Sequence, residues 1–163
     1  MGETQRTMVA ANPVHKEFQE IIIRQIKRLV EIGADGVHID KFVFSRLDFN
    51  PSLNITPDQA CMKGILDGTD KLLKACREEN EDFCISVEGA WDFMLQYTGV
   101  TWAWHQTWDK EHLSVFKYTF PQWKPCLAVD QPFDYNVVNN AIRYGCQIFL
   151  DQHTILILWI MKL

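Results

Sequence analysis

The sequence has no CxxC pair, no HExxH and no closely spaced HxH. It also has no repeat, no low-complexity tract and no interior linker. The first group of absences removes the usual signatures of a zinc ribbon, a dithiol redox centre or a zinc hydrolase. The five cysteines, at 61, 76, 84, 126 and 146, are odd in number and unpaired in spacing, so a disulfide framework is not expected. They read as mostly buried thiols. Positive charge is also short, with 16 Lys and Arg against 21 Asp and Glu for a net charge of −5. That argues against nucleic acid as a partner, because phosphate binding needs a basic face. The opening MGETQRTMVAANP is polar and shows no apolar signal-peptide core. The cytoplasm is therefore the default expectation, with the compartment otherwise unassigned. The segment ILILWIMKL is about half of what a membrane span requires, so no membrane role is expected. It reads instead as the interior of a longer chain.

What remains is a 163-residue chain, 47% hydrophobic and 23% charged, with six Trp and ten Phe. That is enough for one domain with a sizeable core. The aromatic content suits a core and equally suits a carbohydrate-binding surface. Asn12-Pro13 reads as a helix N-cap followed by proline at the first helical position. Phe18, Ile22, Ile26, Leu29 and Val30 then keep helical spacing, and Gly33 fits the left-handed position that ends a helix. GVHID (36–40) reads as a buried strand. Thr56, Pro57 and Gln59 read as a capping box that opens a helix running to about Glu79. Gly64 and Gly68 inside that helix weaken it unless they permit close packing. FCISVEG reads as the next strand, WDFMLQY as one or two helical turns, and VTWAWH and SVFKYTF as strands from their β-branched and aromatic content. DYNVVNNAIRYG reads as a helix ending at Gly145, and CQIFLD as the last strand. Residues 1–11 are expected to be poorly ordered.

Five strands alternating with helices predict an α/β fold with a parallel sheet. An open doubly wound sheet could be complete at that number. A (β/α)8 barrel could not, since it typically needs around 250 residues.

Side chains alternate across a strand, so His38 and Asp40 share one face, as do Ser86 and Glu88. Val37, Ile39, Ile85 and Val87 take the other face, toward covering helices. Each strand thus ends in a carboxylate at its C-terminal end, where parallel α/β folds bind ligands. Consecutive strands usually neighbour one another, which sets Asp40 and Glu88 across a cleft. A pair of carboxylates suits glycoside hydrolysis, one as nucleophile or base and the other as an acid with a raised pKa. The plainer alternative is that Asp40 caps the following loop while Glu88 pairs with Lys41 or Arg46. Around the pair, His38, Lys41, Arg46, Trp91, Asp92, Trp104, His105 and Asp109 are the candidate substrate-binding residues. Trp108 and the phenylalanines of the loop after Asp40 could also stack on sugar rings. Trp102 reads as core. Glu111 is a further candidate acid, and Lys117, Tyr118 and Asp130 lie near later strand ends. A metal-dependent hydrolase using His38, Asp40 and Glu88, with His105 or His112, is a separate reading. It has no supporting motif, and no metal or cofactor is expected.

A helix, then GADGVHID, then the glutamate of SVEGAWD resembles the catalytic half of (β/α)8 glycoside hydrolases of the α-amylase and α-galactosidase-like superfamily. The nearest resemblance is to its uncharacterised bacterial glycosidase-like families. GxDGxxxD is similar to their strand-four nucleophile segment, and NNAIRYGCQIFLD to a segment near strand seven or eight. The resemblance covers most of residues 12–151. It implies a partial (β/α)8 barrel, about strands 4 to 8, acting on a carbohydrate with retention. Asp40 matches the nucleophile and Glu88 the acid/base. An amylase would carry Arg where this chain has His38, and the spacing from Asp40 to Glu88 is longer than in the amylase branch. The α-galactosidase-like branch places its acid/base on strand six, at Asp109. The resemblance further implies that strands one to three lie outside the chain, that an isolated monomer has poor stability, and that glycosidase activity goes with the completed barrel. A non-catalytic carbohydrate-binding barrel remnant is the alternative.

Overall fold

In a computed structural model the described residues are 11–41, 47–89, 91–102, 112–129 and 133–150. Arg46, Trp104, His105, Trp108, Asp109, Glu111 and Asp130 fall outside them, as do residues 1–10. The elements run α1 (Lys16–Glu31), β1 (Gly36–Ile39), α2 (Pro57–Arg77), β2 (Cys84–Glu88), β3 (Thr98–Trp102), α3 (His112–Thr119), β4 (Pro125–Val129), α4 (Tyr135–Tyr144) and β5 (Gln147–Leu150). Short 3-10 turns occupy Pro51–Leu53 and Asp92–Gln96. All five strands are parallel and lie in chain order, β1-β2-β3-β4-β5. This is an α/β fold, and among the described residues the strand order does not reverse, so no switch-point crevice of a doubly wound sheet is present there.

The helix ends follow from local chemistry. At the end of α1, the Gly33 amide donates to the Val30 carbonyl and the Ala34 amide to that of Leu29, with Gly33 at φ +97°. That is a Schellman ending, and it delivers the chain directly into β1. Gly145 (φ +63°) ends α4 in the same way, through Gly145 to Ile142 and Cys146 to Ala141. The start of α1 departs from expectation. Asn12 caps nothing: its Oδ1 accepts from the Val14 amide in an Asx turn, its Nδ2 donates to Asp48, and the N-cap position falls to His15. Pro57 does open α2 behind Thr56, but Thr56 makes no side-chain cap bond and Gln59 does not reach back. Asp58 hydrogen-bonds the Thr56 side chain instead.

SVFKYTF is helix, not strand: all but its last residue, Phe120, lies within α3. Two parallel strands, β3 and β4, need a crossover between them, and that demand overrides the β-propensity of the segment. Thr119 Oγ1 donates back to the Val115 carbonyl, and Lys117 Nζ donates to the carbonyls of Pro121 and Trp123, closing the following turn. The fourth strand, β4, is PCLAV, which the sequence pattern does not mark. It is buried at every position, with proline at its first residue, where no ladder donor is lost.

Two apolar clusters form beneath one face of the sheet. The first joins Ile26 and Val30 of α1, Ile65, Leu72, Leu73 and Cys76 of α2, Phe83, and Ile85 and Val87 of β2, with Met94. Val37 and Ile39 pack against it, as the alternation predicts. The second joins Trp123, Leu127 and Val129 with Val137 and Ala141 of α4. Strand register puts Val87, Thr101 and Leu127 on the same side, so both clusters lie on one face. Gly64 is where α2 meets the chain entering α1: an added Cβ would sit 2.3 Å from the Val14 nitrogen. Among the described residues no helix is long and apolar enough to cross a membrane. Of the five thiols, Cys61, Cys76 and Cys126 are buried, Cys146 is half-buried, Cys84 is exposed, and all are free.

Candidate active site

The face of the sheet turned away from the helices carries the polar residues. β1 and β2 pair with His38 opposite Ser86 and Ile39 opposite Val87, which sets Asp40 and Glu88 side by side at the C-terminal ends. His38 Nδ1 lies 3.1 Å from Ser86 Oγ, joining the two strands on this face. His38 also stacks on Trp102, ring centroids 4.5 Å apart, and Trp102 meets Phe149 at the same distance. Burial lowers the His38 pKa and neighbouring Asp40 pulls the other way, so the ring is neutral at neutral pH.

Lys41 Nζ donates to Asp40 Oδ2 at 2.9 Å and stands 4.0 Å from Glu88 Oε2. Asp40 is open to solvent, whereas the Glu88 side chain is only 17% exposed. Their proton affinities diverge. Asp40 is held below its ordinary value, first by its hydrogen bond with Glu88 and then by that with Lys41. Glu88 is pushed above its ordinary value by the same bond to Asp40 and by burial. The proton of the pair is thus held preferentially by Glu88 rather than by Asp40. Oε2 of Glu88 is buried, and among the described residues no donor reaches it within hydrogen-bond distance.

The chain matches no family model and no curated protein. What can be said of the site therefore comes from its own geometry.

Both strands leave the site through left-handed backbone. Gly89, after Glu88, has φ +79°, and Lys41, after Asp40, has φ +55°. Glycine takes this conformation freely, and lysine pays a steric cost that an exposed ion pair offsets poorly. Strained residues of this kind cluster at functional sites.

The structure thus brings together His38, Asp40, Lys41 and Glu88 from the sequence-derived set. Trp91 lies against the first core cluster with its indole Nε1 buried and unpartnered, edge-on to Phe93. Asp92 accepts from the Phe93 amide and opens a 3-10 turn. Trp102 is the site residue that sequence reasoning missed. Every residue of VTWAW is apolar or hydroxylic, so composition does not reveal which side faces the core, but pairing does: Trp102 lies opposite Glu88. Among the described residues no group of three or more His, Cys, Asp or Glu side chains is placed to hold a metal ion. His38 is engaged with Ser86 and Trp102.

Proposed function

We propose that this chain is part of a (β/α)8 glycoside hydrolase-like domain, covering about strands 4 to 8, that acts on a carbohydrate with retention of configuration. The observation that carries the reading is the Asp40–Glu88 pair: two carboxyls side by side at neighbouring strand ends, Asp40 held below its ordinary pKa and Glu88 pushed above its own. Neighbouring strands lie about 4.7–4.9 Å apart, which supports the carboxyl spacing of about 5–5.5 Å used by retaining enzymes over the roughly 6.5–9.5 Å of inverting ones. The strand order supports the barrel, because a (β/α)8 sheet is built strictly in chain order. Exposed aromatics support a sugar as the ligand: Phe49, Phe93 and Phe133 all follow the C-terminal ends of strands, at the end that holds the carboxylates.

In this mechanism Asp40 attacks the anomeric carbon as Glu88 gives its proton to the departing glycosidic oxygen. A covalent glycosyl ester on Asp40 results. Glu88, now a carboxylate, takes a proton from water as the water oxygen attacks the same carbon and releases Asp40. Incubation of the protein with a panel of aryl 2-deoxy-2-fluoroglycosides tests this. A mass increase of one glycosyl unit located on Asp40, lost in Asp40→Asn, is the expected result. Labelling elsewhere, or hydrolysis of unmodified aryl glycosides at full rate by Glu88→Gln, would overturn it.

A further inference from the structure

We infer that Lys41 is a positioning residue of the carboxylate pair, its left-handed backbone laying the ammonium over Asp40 so that Asp40 serves as the ion and Glu88 as the acid. The inference rests on reading the pair as the working site, and it names the residue that makes two like groups unequal. The geometry is lopsided: Lys41 Nζ is 2.9 Å from Asp40 and 4.0 Å from Glu88. A residue that follows a strand in extended conformation would send its side chain to the opposite face. At φ +55° the Lys41 side chain instead returns to the face of Asp40. The matching position on β2 is a glycine, Gly89, which makes the same turn without strain and supplies no side chain. A lysine is therefore retained on one strand at a steric cost, and its ammonium bonds the carboxyl that precedes it.

The other titratable groups on this face do not break the symmetry between the carboxyls. His38 is kept neutral by burial and bonded to Ser86. Cys84 lies on the same face at the far end of β2, four residues before Glu88. On β3 the facing residue is Trp102, which carries no charge. Without Lys41 only the deeper burial of Glu88 separates the two carboxyls, and the division into nucleophile and acid weakens.

Carbon-13 NMR titration of the side-chain carboxyls of the whole chain tests this without a substrate. Its failure is therefore separable from failure of the glycosidase reading. In Lys41→Met the Asp40 midpoint should rise and the gap to Glu88 should narrow, whereas Lys41→Arg should keep the gap. Lys41→Gly should show the same carboxyl change as Lys41→Met, together with a higher Tm, because the strain is relieved. Unchanged carboxyl titrations in Lys41→Met would overturn the inference, as would a Tm for Lys41→Gly below that of the wild type.

Discussion

Gly64 and Gly68 sit one turn apart on α2 and offer a matched pair of perturbations with opposite outcomes. Replacing either by alanine gains about 1 kcal/mol of helix propensity. At Gly68 the new methyl would lie 3.4 Å from Gln19 Cγ, the nearest atom of a flexible side chain. Nothing rigid opposes it, so Gly68→Ala is expected to be neutral or up to about 1 kcal/mol more stable. At Gly64 the methyl would lie 2.3 Å from the Val14 nitrogen and 2.6 Å from the Pro13 carbonyl carbon. Both are backbone atoms of the segment that enters α1, and they cannot yield without moving that helix. Overpacking of this kind costs about 1–3 kcal/mol, and the backbone clash places it at the upper end. The net effect expected for Gly64→Ala is a loss of about 1–2 kcal/mol. At this chain length each kcal/mol moves Tm by about 2–4 °C. Thermal unfolding followed by circular dichroism should therefore separate the two variants by several degrees, with Gly64→Ala below the wild type. Equal melting temperatures, or a more stable Gly64→Ala, would refute the account of how α1 meets α2.

The carboxylate pair makes stability depend on pH in two directions. Asp40 is depressed from 3.8, so its contribution is present above 3.8 and is lost as pH falls through its lowered native value. Glu88 is raised from 4.5, so its contribution is present below 4.5 and is lost as pH rises through its raised native value. The pair should therefore help most at about pH 4, and urea titrations should show that local maximum flattened in the Asp40→Asn, Glu88→Gln double variant; an unchanged profile would count against the shared proton. A third test concerns Trp123, whose indole Nε1 donates to Thr101 Oγ1 at 2.6 Å with both residues buried. Trp123→Phe should cost about 1–3 kcal/mol in chemical denaturation, because a buried hydroxyl loses its partner, and a loss below about 0.5 kcal/mol would show that the bond is replaced.

Much of the fold was legible where periodicity and chain punctuation agree. α1, α2 and α4 announce themselves by helical spacing, and Gly33 and Gly145 stop two of them for the reason given by their positive φ. The faces of β1 and β2 follow from simple alternation. Legibility failed where the sequence is apolar on every residue or where topology outweighs propensity. PCLAV is too short and too uniform to show a period, and Val115, Phe116 and Tyr118 suggest a strand in a segment that has to cross over. The site was partly legible for the same reasons. His38, Asp40, Ser86 and Glu88 stand out as polar residues in apolar strands, whereas Trp102 is an aromatic among aromatics and only its pairing with Glu88 reveals it. The turned-back Lys41 could not be read at all, because a positive φ on lysine leaves no mark in composition.

The apolar interior is divided in two, and the division has a mechanical meaning. One cluster binds α1, α2, β1 and β2, and the other binds β4 and α4. Between them β3 and β4 are joined, among the described residues, at only two paired positions, Thr101 with Pro125 and Trp102 with Cys126. Sub-global opening follows the thinnest connection between cooperative units, and here that is this seam. All four polar residues of the site lie on the first unit, and the seam is crossed by the Trp102 contact with Phe149 and by the Trp123–Thr101 hydrogen bond. The carboxylates thus ride on a block that can keep its shape while the far side of the sheet breathes, and the Trp102 indole is the hinge pin through which that breathing is felt.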